Sequence, residues 1–272
     1  MSALALSWDN VLDQATVFAR TEDVPELPRA NLQDSRLETV WRHNSTSARA
    51  EFELASATPI TLAAVLAHNL SPGNTEAGLA SYSSYSTGSQ SGTLVDAEVV
   101  DSPPAVNPAN YYAYWPDATT PAAWVVYEAA QTGLALKRAG RVWAGPSVEI
   151  PDCLYEPEYD DTGAARFSKR GAGFQSFAQS YRRLTINTHL DAATVYGSGG
   201  TFNDGSNLAE QLRELYAGSE FIALPAADFA GDINAGFFRQ RTGIYGHLAG
   251  RPEISGLDVG RYRVRIQIEG LG

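Results

Sequence analysis

The stretch from Leu27 to Gly73, LPRANLQDSRLETVWRHNSTSARAEFELASATPITLAAVLAHNLSPG, decides the fold. A polar turn over Pro28 to Asp34 leads to Thr39, Val40 and Trp41. Beyond it Ala48, Ala50, Phe52 and Leu54 alternate with Arg49, Glu51 and Glu53. A period of two predicts a strand with one face on a core and the other in water. After a turn from Ala55 to Pro59, the run Ile60, Leu62, Ala63, Ala64, Val65, Leu66 and Ala67 closes on His68, Asn69 and Leu70. A short continuous apolar run of this kind predicts a buried strand. Together they read as a β-sandwich module with nothing catalytic in it.

Downstream, the segments differ in character. Residues 74 to 92 are rich in Ser, Gly and Tyr and short of large aliphatics, which predicts an exposed loop. Asp101 to Pro121 holds five prolines with Tyr111, Tyr112, Tyr114 and Trp115 among them, so it reads as a long surface loop. Loops of that length are commonly functional, and Tyr and Trp give much contact area for little entropy. Strand patterns return at Ala123 to Glu128 and from Leu134 to Gly145, completing a sandwich over residues 1–150. Trp41 and Trp124 lie inside such patterns and are expected in the core.

Residues 151–180 form an acidic, then Gly-containing polar stretch, a linker or extended arm. From 181 to 272 a smaller α+β domain is expected. It begins with a strand from Arg182 to Thr188, and a Gly-rich excursion runs from Ala192 to Ser206. One amphipathic helix carries Leu208, Ala209, Leu212, Leu215 and Tyr216, and strands follow at Glu220 to Pro225, Thr242 to Leu248 and Arg261 to Glu269. The last has Arg261, Arg263, Arg265, Gln267 and Glu269 opposite Tyr262, Val264, Ile266 and Ile268, an alternation that sets its register. The fold class is therefore mainly β: an N-terminal jelly-roll β-sandwich, then the α+β domain.

The chain has 272 residues, a net charge of −11 and one cysteine, Cys153. A single thiol excludes an intramolecular disulfide framework and a Cys-rich zinc site. The acidic excess lies before Tyr181: beyond it nine Arg face ten Asp plus Glu, leaving −10 for the rest. With two lysines in the chain, nucleic acid is not an expected partner, since duplex binding needs clustered cations. The start, MSALALSWDNV, has no signal-peptide form, and no apolar run reaches membrane-spanning length. Synthesis in the cytosol with no membrane segment is expected.

The order Asn-Leu, spacer, Trp-Arg, amphipathic strand, Pro-Ile and an apolar run ending in His-Asn-Leu resembles the galactose-binding-like (discoidin-like) jelly rolls of tail proteins from tailed bacteriophages and prophages. The matching residues are Asn31, Leu32, Asp34, Arg36, Trp41, Arg42, Pro59, Ile60, His68, Asn69 and Leu70, and Arg141 to Pro146 resembles the turn ending such a jelly roll. The order of elements after residue 181 is similar to the ring-forming domains of tail and baseplate proteins. The resemblance implies a distal tail protein-like structural component of a tail tip or baseplate, made in the host cytoplasm and carried in the virion. It implies self-assembly into a ring of three or six subunits linking tail tube to baseplate hub or fibres. The alternative is a carbohydrate-binding adhesin module touching the host surface. In sugar-binding members of this class the ligand meets loops at one end of the sandwich, so Tyr111, Tyr112, Tyr114 and Trp115 are the candidate carbohydrate or subunit contacts.

No catalytic residues are assigned. His43, His68, His189 and His247 lie apart without metal-ligand spacing, and no Gly-x-Ser-x-Gly elbow accompanies them. The glycines at 197–200 and 171–173 lack the strand and helix that flank a dinucleotide loop. Glu156, Glu158, Asp160 and Asp161 have alternate oxygens suited to calcium but neither the central Gly nor the closing Glu of an EF-hand, and a solvated linker explains them more simply. Neither cofactor nor metal is expected. A hydrolase with dispersed carboxylates rests on no positive feature.

Overall fold

The computed structural model describes residues 4–18, 23–44, 47–68, 80–86, 93–100, 110–115, 117–130, 137–150, 183–196, 208–216, 218–224 and 243–270. Asn69, Leu70, Leu134, Leu136, Cys153, the acidic run at 156–161, the linker at 151–180 and the glycines at 171–173 and 197–200 lie outside them. The chain divides into two compact units, one comprising Ser7–Glu149, the other built from Met1–Leu6, Ile150–Leu224 and Ile244–Gly272.

In chain order the strands up to residue 150 are β1 (Leu4–Ser7), β2 (Thr16–Val17), β3 (Trp41–His43), β4 (Ser47–Thr58), β5 (Leu62–Leu66), β6 (Ala80–Tyr85), β7 (Leu94–Val100), β8 (Tyr111–Tyr114), β9 (Ala122–Ala130), β10 (Lys137–Ala139), β11 (Arg141–Gly145) and β12 (Val148–Ile150). The sandwich consists of a five-stranded sheet, β2-β4-β9-β6-β7, a three-stranded sheet, β11-β5-β8, and the pair β10-β3. The strand pairings within them are antiparallel. Phe52, Leu54, Val125 and Tyr127 of the larger sheet share one core with Ala63, Val65, Tyr111, Ala113, Val142 and Ala144 of the smaller, and Trp41 joins them at 1% exposure. Burying each large side chain of this kind contributes about 1.5–3 kcal/mol.

The alternation in β4 thus places its faces as the sequence requires, with one refinement. Glu51, expected in water, is buried and bonded to Arg49 at 2.6 Å.

The residues that carry the family resemblance mainly build scaffold. Asn31 donates to the Val40 carbonyl, closing the loop before β3. Trp41 Nε1 donates to Asp23 Oδ1 at 3.0 Å, and Asp23 accepts a two-pronged bond from Arg29, whose other nitrogen meets the Arg49 carbonyl. Arg141 Nη2 reaches Asp13 at 2.9 Å, and Asn10 bonds the backbone of both Val142 and Ala144. These bonds fasten the 3₁₀ turn Val11–Gln14 to β11.

Two expected loops contain strands. Ala80–Tyr85 lies within the Ser- and Tyr-rich stretch, yet it pairs with both β7 and β9. Strand pairing uses backbone groups, and Tyr suits a pleated surface even where aliphatics are scarce. The prolines of the second stretch fall outside Tyr111–Tyr114, leaving those four residues free to pair with β5 as β8.

The other unit contains β13 (Arg183–Asp191), α1 (Ala192–Tyr196), α2 (Leu208–Glu214), β14 (Glu220–Leu224), β15 (Ile244–Leu248), β16 (Glu253–Asp258) and β17 (Arg261–Gly270). Its sheet runs β12-β1-β14-β15-β17-β13, with β16 on the other side of β17. The expected single helix is α2, and α1 adds a second where only a Gly-rich excursion was foreseen. Val264, Ile266 and Ile268 are buried while Arg261, Arg263 and Glu269 are exposed, as the alternation predicts. α1 packs with β13, β17 and α2, and its Tyr196 meets Tyr262 of β17 edge-on at 4.8 Å. One correction concerns the N-terminus. Residues 1–150 were expected in the sandwich, but Leu4, Ala5 and Leu6 are fully buried in the second unit's sheet. Four residues without alternation carry no periodic signal of where they pair.

Candidate functional site

Tyr111, Tyr112 and Tyr114, expected as loop contacts, are interior residues with 0%, 0% and 6% exposure. β8 is covered on both faces: Tyr111 points into the sandwich core, and Tyr112 and Tyr114 are buried on the opposite side. There the Tyr114 hydroxyl donates to Glu149 at 3.1 Å and the Tyr112 hydroxyl accepts from Asn110 at 3.4 Å. Trp115 packs half-buried against the same core. The four aromatics are adjacent in space but present no shared open surface.

The open aromatic surface lies instead on the outer face of the five-stranded sheet. Side chains alternate along β9, so Val125 and Tyr127 in the core force Trp124 outward. Trp124, expected in the core, is therefore half-buried on the outside, stacked on Phe18 with ring centroids 5.1 Å apart and planes 24° from parallel. Phe18 follows β2 and is held by its backbone N–H, which donates to the Glu51 carbonyl; its ring is 39% exposed.

Cross-strand register brings further groups to this stack. Trp124 lies opposite Glu53 on β4 and opposite Tyr85 on β6, and Tyr85 lies opposite Leu94 on β7. Partners in antiparallel strands project from the same face, so all belong to the outer surface. Glu53 is exposed and makes no ion pair among the described residues, and Leu94 is 49% exposed. Two residues further along the strands the same face closes over. Val126 and Glu51 are buried, and Arg49 is bonded to both Glu51 and Glu128. The arrangement is an aromatic row with the Glu53 carboxylate next to Trp124 in the same cross-strand line, set beside the ion cluster of Arg49, Glu51 and Glu128.

Aromatic rings present an apolar face with a negative quadrupole, suited to stacking on C–H-rich surfaces, and a carboxylate accepts hydrogen bonds from hydroxyls. Among the described residues no group of three or more His, Cys, Asp or Glu could hold a metal ion, and no helix is long and apolar enough to cross a membrane. Sequence reasoning missed Phe18 and Tyr85 because neither lies in a pattern of its own. The parity of Trp124 was within reach, since β4 and β9 must present matching faces.

No family model and no curated protein sequence matches the chain. Solved structures do. A mutant of the lectin binding domain of lectinolysin, complexed with Lewis b, matches at 13% identity over 53% of this chain and 99% of that one, with a TM-score of 0.40. A fucose binding module of Streptococcus pneumoniae matches at 10% identity over 51% and 98%, TM-score 0.38. The family 32 carbohydrate-binding module of C. perfringens NanJ, in complex with galactose, matches at 15% identity over 50% and 96%, TM-score 0.37.

Proposed function

We propose that this chain is a non-catalytic carbohydrate-binding protein, an adhesin-like module that takes glycans on the outer face of its five-stranded sheet. One observation carries the reading: Phe18 and Trp124 stack on each other at the surface, and the direct cross-strand neighbours of Trp124 are Tyr85 and Glu53, whose carboxylate makes no ion pair among the described residues. Large apolar side chains normally retreat from water, and a partly exposed aromatic cluster flanked by a polar acceptor suits a ligand with apolar faces and hydroxyl edges. The acidic chain and Glu53 itself disfavour anionic sugars, so the ligand class is neutral glycans. A broad glycan array probed with the wild type and with Trp124→Ala tests this. Selective binding by the wild type, lost in the variant, supports it, and an array without signal sinks it.

A second reading is a phage or prophage tail component of the distal tail protein kind, assembled with itself and neighbouring tail proteins. It is favoured by the hairpin of β16 and β17. There β16 pairs with β17 alone among the described strands, and Leu257 and Val259 at the tip are 50% and 103% exposed. An open edge with apolar residues is a ready pairing surface. Light scattering after size exclusion decides: a closed oligomer of three or six subunits supports it, and a monomer at every concentration removes it.

A further inference from the structure

We infer that the aromatic row binds the side of an extended, neutral oligosaccharide across several consecutive sugar rings, not a single terminal sugar. The inference rests on the carbohydrate-binding reading and specifies what that site holds.

The argument is one of shape and length. The row runs across the strands. Phe18 lies 5.1 Å from Trp124, Tyr85 sits on the next strand, and Leu94 on the strand after that. Adjacent strands are about 4.8 Å apart, so the row from Phe18 to Leu94 extends ~15 Å, about three sugar rings in line. A terminal monosaccharide would cover one ring of the row and leave the rest in water. Its discrimination would also require walls on several sides, and among the described residues the row is flanked on one side, by the ion cluster of Arg49, Glu51 and Glu128. Glu53, the cross-strand partner of Trp124 on β4, lies in the same line as Trp124, Tyr85 and Leu94, so it meets hydroxyls of a chain that runs along the row. The carboxylate has no cation beside it among the described residues, and a ligand bearing its own carboxylates or sulfates would be repelled where it has to lie.

Calorimetry on the full chain with neutral oligosaccharides of one to six glucose, xylose or mannose units tests the inference, with oligogalacturonides as the acidic counterpart. The expected result is affinity that rises at least tenfold from one unit to three and then levels off, in at least one series, with the oligogalacturonides binding more weakly at equal length. Leu94→Ala, at the far end of the row, should lower affinity for the trimer and longer ligands by several-fold and so shrink the gain in affinity from one unit to three. Monosaccharide binding as tight as that of the hexamer overturns the inference while leaving the carbohydrate-binding reading intact. Binding that lengthens with the chain but ignores both Leu94→Ala and Phe18→Ala also overturns it, by placing the ligand elsewhere. A protein that binds no sugar of any length sinks the parent reading, and this one with it.

Discussion

The imidazole of His68 lies flat on the phenol ring of Tyr111, with centroids 4.4 Å apart and planes 6° from parallel. His68 ends the apolar run of β5, Tyr111 begins β8, and those two strands are paired through the register Val65 to Tyr111. Both residues are buried. Burial pushes the His68 imidazole from its usual 6.5 down to about 3, helped by the nearby charge of Arg138, and burial pushes the Tyr111 hydroxyl upward.

A depressed histidine makes the fold sensitive to mild acid. Below pH 6.5 the unfolded chain takes up a proton at His68 that the folded chain refuses until about pH 3, so stability is lost as pH falls through that window. The slope for one such group is about 1.4 kcal/mol per pH unit. Urea midpoints should be lower at pH 5 than at pH 7, and His68→Leu should remove most of the difference. Equal wild-type midpoints at the two pH values would contradict the burial of a neutral imidazole.

The Tyr111 hydroxyl is buried and has no hydrogen-bond partner among the described residues. Burying an unsatisfied hydroxyl costs about 1–3 kcal/mol, so removing it should help or do nothing. Tyr111→Phe is expected to fold with a urea midpoint at or above that of the wild type and to leave glycan binding unchanged. A drop in stability of more than about 1 kcal/mol would mean that the hydroxyl serves a partner.

Asp23 and Arg29 form the most enclosed ion pair among the described residues of the sandwich, at 2.7 Å with both side chains nearly out of solvent. Burial works against the Asp23 charge, but the bonds from Arg29 and Trp41 prevail and hold its carboxyl below the ordinary carboxylate range. Asp23→Ala strands a buried guanidinium and should cost about 3–5 kcal/mol in chemical denaturation. Asp23→Leu combined with Arg29→Met should recover much of that loss, since a buried pair contributes little beyond an apolar replacement. If the double variant is as unstable as the single, the pair itself is a major source of stability.

How much of this was legible in the sequence depends on where each signal resides. β4 and β17 carry their register in their own alternation, and β5 carries its burial in its own apolar run. Those strands fall where periodicity puts them. β1 and β8 are four residues each, too short for a period, and their burial comes from partners distant in sequence. That is why Tyr111, Tyr112 and Tyr114 looked like loop aromatics and proved to be core. The candidate site was illegible for a related reason. Phe18, Glu53, Tyr85 and Trp124 come from four separate segments, and only strand pairing sets them side by side.

Gly145 and Gly260 should respond differently to alanine. A Cβ on Gly145, inside β11, would collide with the Asp9 carbonyl oxygen, and backbone has nowhere to go. Gly260 has open space around it but a φ of +80°, at the tight turn between β16 and β17. Gly145→Ala should therefore destabilise by about 1–3 kcal/mol or more through overpacking. Gly260→Ala should cost about 1–2 kcal/mol through backbone strain alone. Thermal melts of the two variants check the order, and a Gly145→Ala protein as stable as wild type would show that Asp9 and β11 are not in contact as described.

Trp115 and Trp124 give the sharpest contrast between the surface foreseen and the surface found. Trp115 packs against the sandwich core, with its backbone N–H bonded to the Thr61 carbonyl, while Trp124 stands outward against Phe18. Removing an aromatic that stacks on a ligand costs about 0.5–1.5 kcal/mol, roughly two- to tenfold in affinity, on top of the area burial lost with a side chain as large as Trp. Trp124→Ala should therefore weaken glycan binding by at least tenfold with a small change in melting temperature. Trp115→Ala should do the reverse, lowering the melting temperature by several degrees while the folded fraction binds as the wild type does. Calorimetry and melting curves on the same two preparations separate the outcomes. If Trp115→Ala abolishes binding and Trp124→Ala does not, the ligand meets the end of the sandwich that the sequence pointed to, and the sheet face has no part in it.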